Sequence, residues 1–282
     1  MLSHNNQKKI AVINDLTGFG RCALTVAIPV ISAMKVQCCP IPTSILSNHT
    51  AFDSCFIDDY TDKMEPYVNE WKKLGLKFNG IYSGFLGSKA QIDIVARIFE
   101  SFKTEENLII IDPVMGDNGT PYRTYTPQMC QEMKRLIRYA DILTPNVTEA
   151  CILTDTVYKT GWTLDELEAL AHKLAQAGPK RIIITGVDLG EEIGNYCYAA
   201  HTAAGSGRLL TIKKAGDSRC GTGDLFTSII AADAVNGVDL ETSVQKAAGF
   251  VADCIRASEK MEIPLTDGVC FEELLGQLAT AG

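Results

Sequence analysis

Apolar and polar positions alternate along this chain at two different periods, and the two periods themselves take turns. Short β-branched runs predict strands over 9–13, 36–40, 80–83, 107–112, 141–144 and 181–185. Between them, stretches with apolar residues three and four apart predict helices over 22–34, 65–74, 89–102, 127–139 and 164–177. The segments 196–200 and 208–212 read as a hairpin, and the last third is helical over 223–236, 239–258 and 271–280. Residues 107–112 (Asn-Leu-Ile-Ile-Ile-Asp) are almost wholly apolar, as a central parallel strand must be. Strands alternating with helices predict a mostly parallel sheet covered on both faces, in one domain over 1–282.

Chemistry-bearing residues gather just after the predicted strands. They are Asn14-Asp15, Ser83-Gly84, Asp112, Thr144-Pro145-Asn146 and Thr185-Gly186. Open α/β sheets bind ligands at the carboxyl ends of their strands, so these groups mark one edge as a site. Asp224 would face that edge.

Gly221-Thr222-Gly223-Asp224 opens the apolar helix at 223–236. A helix N-terminus carries unpaired N–H groups and partial positive charge, and glycine lets that backbone approach an anion. A carboxylate there would repel a phosphate, which makes sense if Asp224 is a base. A hydroxyl between it and a triphosphate could lose its proton and attack the γ-phosphoryl group, with the N–H groups holding the developing charge. The plain alternative is an N-capping Asp on an ordinary helix. Asp112 and Asp117, at the end of the clearest strand, suit Mg²⁺, which takes oxygen ligands directly or through water; the alternative is a turn shaped by Asp and Pro. Asn146 with Glu149 fits either a helix cap or a face toward Mg²⁺-ATP, and the cap is favoured by the segment itself. In the polar stretch 44–50, a loop histidine such as His49 is more often structural than a general base.

Composition excludes several classes. The chain has 282 residues, 46% hydrophobic and 21% charged, which is ordinary for a folded domain. A net charge of −8 speaks against a nucleic-acid partner. No apolar run approaches the about 18 residues a membrane helix needs, and the N-terminus lacks a secretory pattern, so the expected location is cytoplasmic. The ten cysteines and four histidines are scattered without metal-ligand spacing. Gly18-Phe19-Gly20 lacks the third glycine of a dinucleotide fingerprint, and there is no Walker-type phosphate loop.

Taken together, Leu46-Ser47-Asn48-His49-Thr50, Ser83 to Ser88, Asp112-Pro113-Val114-Met115-Gly116-Asp117, Asp141 to Asn146 with Glu149, and Gly221 to Asp224 resemble the vitamin B6 (pyridoxal/pyridoxamine) kinases of the ribokinase-like superfamily. The resemblance implies a three-layer α/β/α sandwich with a small lid near 41–58, and ATP-dependent phosphorylation of the 5′-hydroxymethyl group of pyridoxal, pyridoxamine or pyridoxine. It implies that Asp224 is the base and that Gly221, Thr222 and Gly223 form the anion hole. Asp112, Asp117 and Glu149 would organise Mg²⁺, and Thr144, Asn146, Thr185, Gly186 and Thr222 would lie along ATP. Asn14, Asp15, Ser47, His49, Thr50, Phe85 and Tyr122 would line the vitamer pocket. A homodimer and a response to K⁺ are implied as well. Two features depart from the family: Asn14-Asp15 stands where Ser-His is common, and Phe85 replaces a more usual Tyr. Hydroxymethylpyrimidine kinases share every piece except the Ser-Asn-His-Thr loop, and a non-catalytic vitamin-binding protein is the alternative of another class. Cys220, directly before the glycine turn, is either an oxidation-sensitive thiol or an inert one.

Overall fold

The computed structural model describes residues 6–200 and 207–280; His4 and His201 fall outside them. The chain runs β1 (Lys9–Thr17), α1 (Leu24–Ala33), β2 (Gln37–Leu46), β3 (Ile57–Asp59), α2 (Thr61–Lys73), β4 (Gly80–Ser83), α3 (Lys89–Phe102) and β5 (Leu108–Ile111). A small hairpin of β6 (Gly116–Asp117) and β7 (Thr120–Pro121) comes next, then α4 (Pro127–Leu136), β8 (Ile142–Leu143), α5 (Val147–Leu153), α6 (Leu164–Gln176) and β9 (Arg181–Asp188). It ends with β10 (Glu192–Ala199), β11 (Arg208–Lys213), α7 (Thr222–Asn236), α8 (Leu240–Lys260) and α9 (Leu275–Thr280).

Nine strands form one sheet in the order β11-β10-β9-β8-β5-β4-β1-β2-β3. It is parallel from β2 through β9, with antiparallel strands at both ends. Side chains on a strand alternate between faces, and both faces here are apolar. Ala11, Ile13, Ile109 and Ile111 pack against α2 to α6, while Ile10, Val12 and Ile110 pack against α1, α7, α8 and α9. Double-sided burial is why β5, in the middle of the sheet, is an unbroken apolar run, Leu108 to Ile111. The result is the expected three-layer α/β/α sandwich.

Several boundaries differ from the sequence expectation. Asn14-Asp15 lies within the first strand, not after it: β1 continues to Thr17 through an irregularity between Asn14 and Leu16. Likewise β2 runs on to Leu46 through Pro40 and Pro42. Those prolines are tolerated because β3 pairs only with Ser44–Leu46, so the proline nitrogens leave no ladder bond unmade on that open edge. β3 and the end of β2 make the antiparallel flap where a lid was expected. The helix expected over 271–280 is helical only from Leu275, and that expected over 127–139 tightens to a 3₁₀ turn at its end.

Candidate active site

The chain enters the sheet at β1, moves outward to β2, then crosses back to β4 on the other side of β1. Ligands bind outside the strand ends at such a reversal. Ser83 ends β4 there, Asn14 stands at the irregularity of β1 beside it, and the N-terminus of α7 closes over them. Gly221 takes φ 83° and brings no side chain to cap α7. A Cβ at Gly221 would lie 1.9 Å from the Arg21 carbonyl oxygen, so only glycine lets this turn lie against the loop before α1. The first-turn amides of Thr222 and Gly223 are the orphan donors of a helix start.

Asp224 lies in that first turn and is partly buried. Asn14 Nδ2 donates to its Oδ1 at 3.2 Å, and the Ala23 backbone N–H donates to the same carboxylate. Burial pushes its pKa up to about 6, the nearby Asp15 adds to this, and the two donors pull the other way. A base that titrates just below neutrality is suited to taking a hydroxyl proton.

Asp112 is buried at the end of β5, its Oδ2 about one van der Waals contact (4.0 Å) from where a Gly223 Cβ would stand. Thr227, one turn beyond Asp224, donates to it at 3.2 Å and contacts the Thr144 hydroxyl at 3.1 Å. Burial, then the charge of Asp224, raises the Asp112 pKa to about 8. Thr144 is 3% exposed, with its hydroxyl turned to Thr227. Asn146 and Glu149 form a reciprocal capping box on α5. Asn146 Oδ1 accepts from Glu149 N at 2.9 Å and its Nδ2 donates to Gly116 O at 2.8 Å. Glu149 accepts from Met115 N at 3.0 Å and Asn146 N at 2.8 Å. Burial and the charge of Asp112 nevertheless push the Glu149 carboxyl up. The polar atoms of the Asn146 side chain are thus engaged within the protein. Thr185 and Gly186 lie beside it, with Thr185 bridged to Asn146. Asp117 is exposed in the β6–β7 hairpin, where its carboxylate accepts from Asn118. Among the described residues no three acidic, His or Cys side chains form a metal-holding group, so Asp112, Asp117 and Glu149 do not converge as three direct ligands.

The other expected residues surround the opening. Phe85 is half-buried, with its ring 6.2 Å from that of Tyr125. Tyr122 lies over the acidic edge; burial, then Glu149 and Asp117, raises its phenol. Asp15 accepts from Thr17 Oγ1 at 2.5 Å, and burial raises its pKa. Thr50 is exposed on the flap, and Ser47 shapes the flap turn by accepting from Phe56 N at 3.0 Å. His49 is engaged elsewhere. Its Nδ1 accepts from Ala51 N at 3.3 Å, which leaves the proton on Nε2 to donate to Thr266 O at 2.7 Å. Its ring also packs on Phe52 at 4.6 Å. A cleft of about 360 Å³ lined by Phe19, Ser47, Asn48, Phe52, Asp53 and Ser54 opens beside the flap. Cys220 is hydrogen-bonded to Cys22, and this contact with burial pushes the Cys22 thiol far up. Sequence reasoning missed Thr227 and Ala23. Thr227 was findable at helical spacing from Asp224, whereas the backbone role of Ala23 leaves no sequence signal.

The phosphomethylpyrimidine kinase family profile matches residues 28–267. The chain belongs to this family, within the ribokinase-like superfamily that also holds the pyridoxal kinases. It is a kinase with an alcohol group as acceptor. A protein of Bacteroides thetaiotaomicron assigned as a phosphomethylpyrimidine kinase is 38% identical, with 99% of this chain and 96% of that one covered at TM-score 0.95. A second crystal form of it, with pyridoxal, is 39% identical over 97% and 96% at TM-score 0.91. A pyridoxine/pyridoxal/pyridoxamine kinase of Bordetella avium is 25% identical over 255 residues, covering 87% of this chain and 84% of its own length. A hydroxymethylpyrimidine/phosphomethylpyrimidine kinase of Aquifex aeolicus is 28% identical over 183 residues, 64% of this chain and 69% of its own.

Proposed function

We propose that this kinase transfers the γ-phosphoryl group of ATP to the 5′-hydroxymethyl group of a B6 vitamer. The observation that carries the reading is a partly buried carboxylate, Asp224, in the first turn of a helix whose uncapped amides face the same space. The pyridoxal held by the Bacteroides relative supports the acceptor. In the proposed reaction the vitamer hydroxyl gives its proton to Asp224 as its oxygen bonds to the γ-phosphorus, and the bond to the ADP oxygen breaks. The amides of Gly221, Thr222 and Gly223 stabilise the equatorial oxygens. Phe85 offers an aromatic face to the pyridine ring and Asp15 a buried acid at its edge.

Mg²⁺ bound with the nucleotide would supply positive charge across the phosphates. Asp112, with Asp117 and Glu149 behind it, offers hard oxygen donors that fit this ion through water. A homodimer is proposed on the flap edge, where Phe56 is 69% and Ile57 52% exposed; sedimentation of the purified chain tests it. A hydroxymethylpyrimidine acceptor is the second reading, favoured by the Aquifex relative.

The deciding experiment is ATP consumption against pyridoxal, pyridoxamine, pyridoxine, hydroxymethylpyrimidine and ribose. Turnover on a B6 vitamer is expected, with Asp224→Asn lowering it by roughly 10²–10⁴-fold while ATP still binds. Turnover on hydroxymethylpyrimidine alone would transfer the protein to the second reading.

A further inference from the structure

Asn14 is 1% exposed, in the centre of the site. Its Oδ1 accepts two backbone N–H groups, from Asp15 at 3.0 Å and from Phe85 at 3.0 Å. An amide oxygen has two lone pairs, so both are taken. Turning the amide over would set its NH₂ group against two N–H donors, which fixes its orientation. Nδ2 is thereby aimed at Asp224 Oδ1, 3.2 Å away. Gly84 closes the other side: a Cβ there would fall 2.4 Å from Nδ2. With its oxygen saturated, one amide hydrogen on the base and Gly84 against it, the side chain has little left to offer a vitamer ring.

We propose that Asn14 is a positioning residue for the phosphoryl transfer, not a substrate contact: it grips Asp224 from the β1 side and ties the base to the backbone that carries Phe85. The opposite grip is the Ala23 N–H, set by a backbone at φ 53°, ψ −131° that L residues seldom adopt. Base and ring-facing loop are therefore held by one amide, and displacement of either is felt by the other. Because Asn14 can only donate to Asp224, it favours the carboxylate form that accepts the hydroxyl proton. The inference rests on Asp224 being the base.

The test is steady-state kinetics on the vitamer and on ATP for wild type, Asn14→Asp, Asn14→Ser and Asp224→Asn. Asn14→Asp keeps the shape and the acceptor for both N–H groups, but it replaces the donor with a second carboxyl facing Asp224. Its kcat should fall roughly 10–100-fold, the worth of a hydrogen bond to a charged group, while both KM values stay within about threefold. Asn14→Ser, which adds no charge and cannot span the same partners, should show the same split, and it carries the test if the aspartate variant does not fold. A raised vitamer KM with kcat intact in either variant would make Asn14 a substrate contact and overturn the inference. Wild-type kinetics in both would overturn it as well. Should Asp224→Asn turn over normally, the base assignment itself fails, and Asn14 has no base to position.

Discussion

Asp224 must be a carboxylate to accept a proton, yet its surroundings favour the neutral acid. Burial is the larger influence, and it lifts the pKa to about 6 against the donors from Asn14 and Ala23. The consequence for activity has a definite sign. As pH falls through about 6 the carboxylate protonates, so kcat/KM should drop close to tenfold per unit on the acid side, and a flat profile down to pH 5 would exclude Asp224 as the titrating base. The consequence for stability runs the other way. The folded pKa lies above the ordinary carboxylate value of 3.8, so an ionised Asp224 destabilises the fold. That cost is absent below the ordinary value, grows between the two, and is complete above about pH 6. Asp224→Asn should therefore melt higher than wild type at pH 8, with the gap closing toward pH 4, in the manner of a residue kept for function at the expense of stability. Melting curves at the two pH values settle the matter; equal midpoints at pH 8 would mean that the carboxylate is not held against its preference.

Two short helix starts carry the site, and they are built differently. α7 begins at a glycine without a side-chain cap, leaving its amides for a ligand, whereas α5 is closed by the Asn146–Glu149 capping box. Gly221→Ala would place a side chain at φ 83° and 1.9 Å from the Arg21 carbonyl. A loss of about 1–3 kcal/mol in stability and of most turnover is expected from strain alone, and a variant of unchanged stability and activity would show that the turn adapts. Asn146→Ala should cost about 0.5–2 kcal/mol through the lost cap, with little change in the KM for ATP. A large KM change without destabilisation would instead put its amide on the phosphates. Both helix starts were legible in the sequence, because capping and glycine turns are local chemistry. So was the Ile109 to Ile111 strand, whose burial on two faces leaves an unbroken apolar signature. What stayed hidden depended on distant partners. β3 is Ile-Asp-Asp, exposed throughout, and exists because β2 pairs with it. In the sequence Asn14 falls just past the predicted strand, but it lies inside β1, where Phe85 N–H holds its side chain.

At the scale of the whole molecule, a side chain of the flap reaches the C-terminal region. His49 reaches from the end of β2 to the Thr266 carbonyl at 2.7 Å, a contact between residues 217 apart that no local pattern could announce. The same ring packs on Phe52, which in turn meets Phe19 at 5.7 Å, so the aromatic wall of the cleft rests on the same pin. Gly20 allows it: a Cβ there would lie 2.1 Å from the imidazole. Of the proposed nucleotide groups, Thr185 and Gly186 lie beside Asn146, farther along the sheet edge, whereas the segment that His49 holds also meets the turn before α7, where Val269 N–H donates to the Cys220 carbonyl at 3.2 Å. Flap order should therefore bear more on the proposed vitamer side than on the nucleotide. His49→Ala removes the pin on which the wall rests, so backbone amides near 47–56 and 263–268 should exchange faster with deuterium. The KM for the proposed vitamer should rise by roughly tenfold, as loss of a closing element does, with a smaller loss of ATP affinity. Unchanged exchange in both segments would show that the flap is held by its strand pairing alone; an equal loss of ATP affinity would mean that flap and nucleotide site move as one.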